Sequence, residues 1–111
     1  MKLQSFYCLT IFFMCLSVLK SQAYKATIKQ TLGVLCRFWV EDANHYRIAG
    51  DGKGKYHTCD GDDKVIEFGN QQYYIVVKVE ASLQQEKIRG PFDGDHSCFF
   101  YGTIGNWSFD C

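Results

Sequence analysis

Two rhythms of apolar and polar residues run along this chain. Starting at Thr27, the apolar positions Ile28, Leu32, Leu35, Cys36 and Trp39 recur as one face of a helix. Thr27-Ile-Lys-Gln30 fits a capping box, with the hydroxyl accepting from a helical N–H while Gln30 reaches back. Gly33 and several β-branched residues oppose a helix there. A competing period of two places Val34, Cys36, Phe38 and Val40 on one face of a strand. The helical period is the favoured reading. Beyond Gly54 the pattern becomes that of strands separated by turns. Short strands are predicted at 56–59, 65–68 and 87–89, and longer ones at Tyr73–Val79 (YYIVVKV), Cys98–Ile104 and Trp107–Cys111. The density of β-branched and aromatic residues in Tyr73–Val79 suits a central strand buried on both faces. Asp51-Gly-Lys-Gly54, Cys59-Asp-Gly-Asp-Asp63 and Gly69-Asn70 are turn signals. The expected fold is α+β, one N-terminal helix packed on a twisted antiparallel sheet. The alternative is a small all-β disulfide sandwich, in which residues 34–40 form a strand.

The N-terminus has a pattern of its own. Lys2 precedes an apolar run from Phe6 to Leu19, broken by Thr10 and Ser17, and Ser21 and Ala23 are small residues. This reads as a secretory signal peptide over residues 1–23, cleaved after Ala23. The run is short for a membrane-spanning helix, which needs roughly 20 apolar residues. One domain, residues 24–111, then remains as a secreted monomer without a membrane anchor. Cys8 and Cys15 leave with the signal, so Cys36, Cys59, Cys98 and Cys111 remain of the 6 cysteines. An even number in a small secreted domain reads as two disulfides, of unknown connectivity. Losing Lys2 and Lys20 leaves 10 basic residues against 12 acidic ones, a net charge of −2. That balance argues against a nucleic-acid binder working by gross electrostatics.

Candidate chemistry is sparse. His45, His57 and His96 are the possible acid–base groups, and none sits in a recognisable constellation. Asp60, Asp62 and Asp63 resemble part of a calcium loop, but Glu67 stands too close to serve as its terminal ligand. A solvated turn fits better. The cysteine spacing lacks a CxxC pair, so neither a zinc site nor any other metal or cofactor is expected. Asn106-Trp-Ser108 is an N-glycosylation sequon.

The order of four motifs resembles small fungal guanyl-specific ribonucleases and, more closely, the ribonuclease-like secreted effectors of powdery mildew fungi. They are Tyr73-Tyr74-Ile75-Val76-Val77, Gly90-Pro91-Phe92-Asp93-Gly94, Cys98-Phe-Phe-Tyr-Gly102-Thr-Ile104 and Phe109-Asp-Cys111. The resemblance covers residues 56–111 and implies a microbial-ribonuclease-like fold. It departs near the start, where the family's Tyr-x-Cys is missing after Tyr24 and the first cysteine is Cys36. The expected pairs are then Cys36–Cys98, helix to sheet, and Cys59–Cys111. Ile75 stands at the family's carboxylate base and Asn106 at its histidine acid, and no arginine lies between Pro91 and Cys98. The resemblance therefore implies a catalytically inactive effector. Such a protein binds a host protein, or RNA weakly, in or around plant cells to modulate immunity. Tyr46, Tyr56, Phe92 and Trp107 are the candidate surface anchors. The alternative function is an active secreted ribonuclease with a rearranged site around His57 and Glu67.

Overall fold

The residues of the expected helix divide instead between two strands. The computed structural model describes residues 23–111, so the signal segment through Gln22 lies outside the described residues. Strand β1 (Tyr24–Gln30) turns through Thr31–Val34 into β2 (Leu35–Glu41). In β1, Ala26, Ile28 and Gln30 are buried while Lys25 and Lys29 are exposed. In β2, Cys36, Phe38 and Val40 are buried on the inner face. Trp39 is on the opposite face and is only 4% exposed. The Arg37 guanidinium covers it, 4.1 Å from the ring centroid. Burial on both faces spoils the period of two in β2 and leaves apolar residues at helical spacing. Gly33 costs a helix about 1 kcal/mol relative to Ala. The strand wins because a second sheet covers its inner face.

Seven strands follow: β3 (Arg47–Gly50), β4 (His57–Thr58), β5 (Lys64–Phe68), β6 (Tyr73–Val79), β7 (Lys87–Phe92), β8 (His96–Thr103) and β9 (Asn106–Asp110). They form two sheets. One has the order β5-β1-β8-β9 and the other β3-β2-β6-β7, with β4 beside β2. There is no helix among the described residues, so the α+β, ribonuclease-like expectation is overturned and the all-β disulfide alternative fits. The expected single antiparallel sheet is corrected too, because β1 and β8 pair in parallel. No hairpin joins these two strands, and all five strands of the other sheet lie between them in sequence.

The inner faces meet in one core. Phe38 of β2 contacts Phe100 of β8 edge-on at 5.4 Å and lies 6.1 Å from Phe109 of β9. Trp107 packs on Phe100 at 5.6 Å and is fully buried. Trp107 is therefore a core residue, not a surface anchor. Ile75 is also fully buried, on the inward face of β6.

The disulfides join sheet neighbours. Cys36 pairs with Cys59 and Cys98 with Cys111, so the expected Cys36–Cys98 and Cys59–Cys111 pairing is corrected. The strand ladders explain the choice. Cys36 lies opposite His57 in the β2–β4 ladder, and Cys59 follows β4 directly. Phe99 lies opposite Asp110 in the β8–β9 ladder, which sets Cys98 beside Cys111. Neither bond crosses between the sheets. Closed loops of this size stabilise by an amount on the order of 3 kcal/mol each.

Candidate functional site

Asp51 is the hub of one polar cluster. Between β3 and β4 the β2 strand has a gap in its pairing, and the Asp51 side chain fills it. The Phe38 amide donates to Asp51 Oδ2 at 2.9 Å, and the Asp51 amide returns a bond to Phe38 O at 2.8 Å. Lys64 Nζ, from β5 of the other sheet, donates to Asp51 Oδ1 at 3.0 Å. His57 Nε2 lies 2.8 Å from Asp51 Oδ2. Gly50, which delivers the chain into this turn, has φ 92°, and an added Cβ would meet Phe38 O at 2.7 Å. Cys36, His57 and Cys59 offer three potential ligand atoms within 4.8 Å of one another. The two sulfurs are bonded together, however, and metal binding by cysteine needs the thiolate. This cluster ties strands together and does not expose a reactive group.

The second cluster is an open cleft of about 630 Å³ on the outer face of the β3-β2-β6-β7 sheet. Arg37 and Trp39 of β2, and Lys78 of β6, form its floor. Its walls are the 42–46 and 51–56 loops, which bring His45, Tyr46, Lys53 and Tyr56. Both loops are built to hold their shape. Asp42 Oδ1 accepts from the amides of Asn44 and Tyr46 at 2.9 and 3.0 Å. His45 sits at φ 65°, a left-handed conformation that His adopts more readily than most residues. Its ring packs at a tilt of 35° against Tyr74, with centroids 4.7 Å apart. On the other side, Arg37 Nη1 donates to Gly52 O at 3.0 Å and pins the second loop.

Charge in the cleft is unevenly matched. Glu41 Oε2 accepts from Trp39 Nε1 at 2.7 Å, and Glu41 Oε1 lies 3.2 Å from His45 Nδ1. That carboxylate is committed. Arg37, Arg47, Lys53 and Lys78 also line the cleft or its rim, and among the described residues none forms a salt bridge. Arg37 and Lys78 are direct partners across the β2–β6 ladder. Like charges facing each other across strands are destabilising unless something lies between them.

The sequence candidates scatter over the molecule. Only His45, Tyr46 and Tyr56 come together in the cleft, with Tyr46 70% exposed. His57 belongs to the Asp51 cluster in one sheet. Glu67, on β5 of the other sheet, lies near Lys25 at 3.9 Å, so the structure does not unite His57 and Glu67 in a site. His96 stacks on half-buried Phe92 at 4.0 Å. Asp60, Asp62 and Asp63 are exposed, as a solvated turn requires. Asn106 is exposed at the first position of β9, whereas Ile75 is in the core of the other sheet. Arg37, Trp39, Lys53 and Lys78 escape a reading of the sequence. Arg37 and Lys78 are neighbours only through strand register, and no local motif signals that.

No family model matches the chain, and no curated protein matches it. Two solved structures do. One is a disulfide-locked mutant of intermedilysin with human CD59, at 15% identity and a TM-score of 0.51 over 79% of this chain. The other is the human-specific toxin intermedilysin, at 14% identity and a TM-score of 0.48 over 79% of this chain. The chain spans 23% and 22% of those chains. At this identity the first likeness is one of fold: the two-sheet architecture has a counterpart in part of a larger protein.

Proposed function

We propose that the protein is a secreted, non-catalytic recognition module that binds a target outside the cell that makes it, a host component as the effector resemblance implies. Modulation of host immunity belongs to the same proposal. The observation that carries it is the cleft. Four cations that form no salt bridge among the described residues line it, two of them on the floor beside Trp39, and two ordered loops and a disulfide hold it. Unmatched charge on a rigid surface is what an anionic partner would complete. Two disulfides suit an oxidising compartment. The test compares wild type with Arg47→Glu/Lys53→Glu for retention on host extracellular material. Retention of wild type that the double variant loses supports the proposal. Equal retention of both removes it.

A second reading has its own observation. Glu41 and His45 form a carboxylate–imidazole pair inside a cationic cleft. In this reading Glu41 would give up its bond to His45 to take the proton of a ribose hydroxyl as that oxygen attacks phosphorus, and His45 would give a proton to the oxygen that leaves. Arg37 and Lys78 would stabilise the phosphate charge. This is the active-ribonuclease alternative at a new location. An RNA-cleavage assay on disulfide-intact protein decides between them. The binding module shows no turnover, whereas turnover that disappears in both Glu41→Gln and His45→Gln establishes the enzyme.

A further inference from the structure

We infer that Arg37 and Lys78 are the two arms of an oxyanion subsite that takes the phosphate of a phosphate monoester carried on a sugar ring. The inference rests on the binding role proposed for the cleft and names its ligand.

Strand register brings the two arms together. Arg37 on β2 and Lys78 on β6 are directly opposite, both on the outer face, and both line the cleft. Neither has a carboxylate within salt-bridge distance among the described residues. Glu41 and Glu86 reach the cleft, but Glu41 is committed to Trp39 and His45, and Glu86 forms no salt bridge with either arm among the described residues. Arg37 is also under-used as a donor. It makes one side-chain hydrogen bond, to Gly52 O, and its Nε is buried without an acceptor. A guanidinium carries five N–H donors in a fixed fork, suited to phosphate oxygens. Stacking on Trp39 fixes the plane of that fork, so little side-chain freedom is lost when an anion arrives.

Charge selects the ligand's head group. Two opposed cations, with Arg47 and Lys53 close by, match a group bearing roughly −1.5 to −2, which is a phosphate monoester near neutral pH. A carboxylate would leave one arm unmatched. The surroundings select the body. Tyr46 is 70% exposed and Tyr56 half-buried, so both offer ring surface and a hydroxyl to a sugar. The cleft, about 630 Å³, falls in the range of roughly 300–1,000 Å³ common for small-ligand sites. A nucleic-acid strand fits less well. Its binding relies on a track of many phosphate contacts, and the chain from Tyr24 carries a net charge of −2.

The test uses the disulfide-intact protein and four probes: glucose 6-phosphate, glucose, inorganic phosphate and a single-stranded RNA oligonucleotide. Glucose 6-phosphate is expected to raise the melting temperature in a dose-dependent way, and glucose to leave it unchanged. Lys78→Gln and Arg37→Gln should each weaken the sugar phosphate by about tenfold or more, the loss of one charge-assisted contact. If Arg37→Gln fails to fold, Lys78→Gln carries the test, because Lys78 is exposed and holds no side-chain hydrogen bond within the described residues. No response to glucose 6-phosphate overturns the inference, and so does a response undiminished in Lys78→Gln. Inorganic phosphate binding as tightly as the sugar phosphate overturns the sugar part. RNA binding without a sugar-phosphate response replaces the subsite with a nucleic-acid surface. Cleft-dependent retention on extracellular material with no sugar-phosphate response defeats this inference alone. A sugar-phosphate response with cleft-independent retention defeats the broader proposal alone.

Discussion

Tyr73 shows how one residue can make stability depend on pH. Its ring is fully buried between Phe68, at 4.4 Å, and Phe92, at 5.8 Å. Its hydroxyl donates to Gly94 O at 2.6 Å. Burial, helped by the negative charge of Asp95, pushes its pKa up to about 12. The unfolded phenol ionises near pH 10. Below pH 10 both states hold the proton, and the full contribution is present. Between pH 10 and 12 only the unfolded state gains by ionising, so stability falls as pH rises. Tyr24 and Tyr101 shift the same way through bonds to Asp93 and Asp110, but both are exposed to solvent at the hydroxyl. Tyr73→Phe should therefore flatten the alkaline loss of stability. At neutral pH it should cost about 1 kcal/mol for the lost bond. Urea unfolding at pH 7, 10 and 11.5 measures both effects. An alkaline slope unchanged in the variant would assign it to the other tyrosines.

At the scale of elements, the open edge of β9 is the exposed weakness of a two-sheet fold, and β7 covers it with side chains. Lys87 Nζ donates to Trp107 O at 2.7 Å, and Arg89 Nε to Phe109 O at 2.9 Å. Gln84 completes the cover, accepting from the Trp107 amide at 2.7 Å and donating to Trp107 O at 3.2 Å. The carbonyls that would template another strand are thus occupied, and cations border the edge. Lys87→Met/Arg89→Met should destabilise by about 2 kcal/mol from lost charge-assisted bonds. It should also speed hydrogen exchange in β9 and introduce concentration-dependent association. Denaturation midpoints, exchange mass spectrometry and size-exclusion runs at several concentrations check this, and a monomer with protected β9 amides would contradict it. The sequence makes some of these elements plain and hides others. β6 reads correctly to the residue because its alternation is dense in Val, Ile and Tyr. β1 and β2 read as a helix because Trp39 is buried on what should be the polar face, under an arginine that no sequence window links to it. The cleft is legible only as scattered parts. Tyr46 and Tyr56 stand out as aromatics in polar loops, but the meeting of Arg37 with Lys78 exists only once β2 and β6 are in register.

For the whole molecule, the two disulfides differ in their place relative to the cleft. Each lies within one sheet, so the sheets are held face to face by the Phe38–Phe100–Phe109 core and by the Lys64–Asp51 bridge. The Cys98–Cys111 bond closes 13 residues of sequence and sits at the β8–β9 end of its sheet, away from the cleft. The Cys36–Cys59 bond closes 23 residues and anchors β4 next to β2. Chain entropy alone makes the longer loop worth about 0.5 kcal/mol more. Its position adds a consequence that the other bond lacks. The 51–56 loop, which carries Lys53 and Tyr56 into the cleft, lies inside the Cys36–Cys59 loop, and Asp51 and His57 hold its two ends. Cys98→Ala/Cys111→Ala should lower stability by about 3 kcal/mol and leave the cleft's affinity for the proposed sugar-phosphate ligand within about twofold. Cys36→Ala/Cys59→Ala should cost at least as much stability and weaken binding severalfold, because one wall of the cleft is released. Thermal melts paired with titrations well below each variant's melting temperature separate the two effects. Equal losses of affinity in both variants would show that binding follows global stability, and the cleft wall would then have no special claim on the Cys36–Cys59 bond.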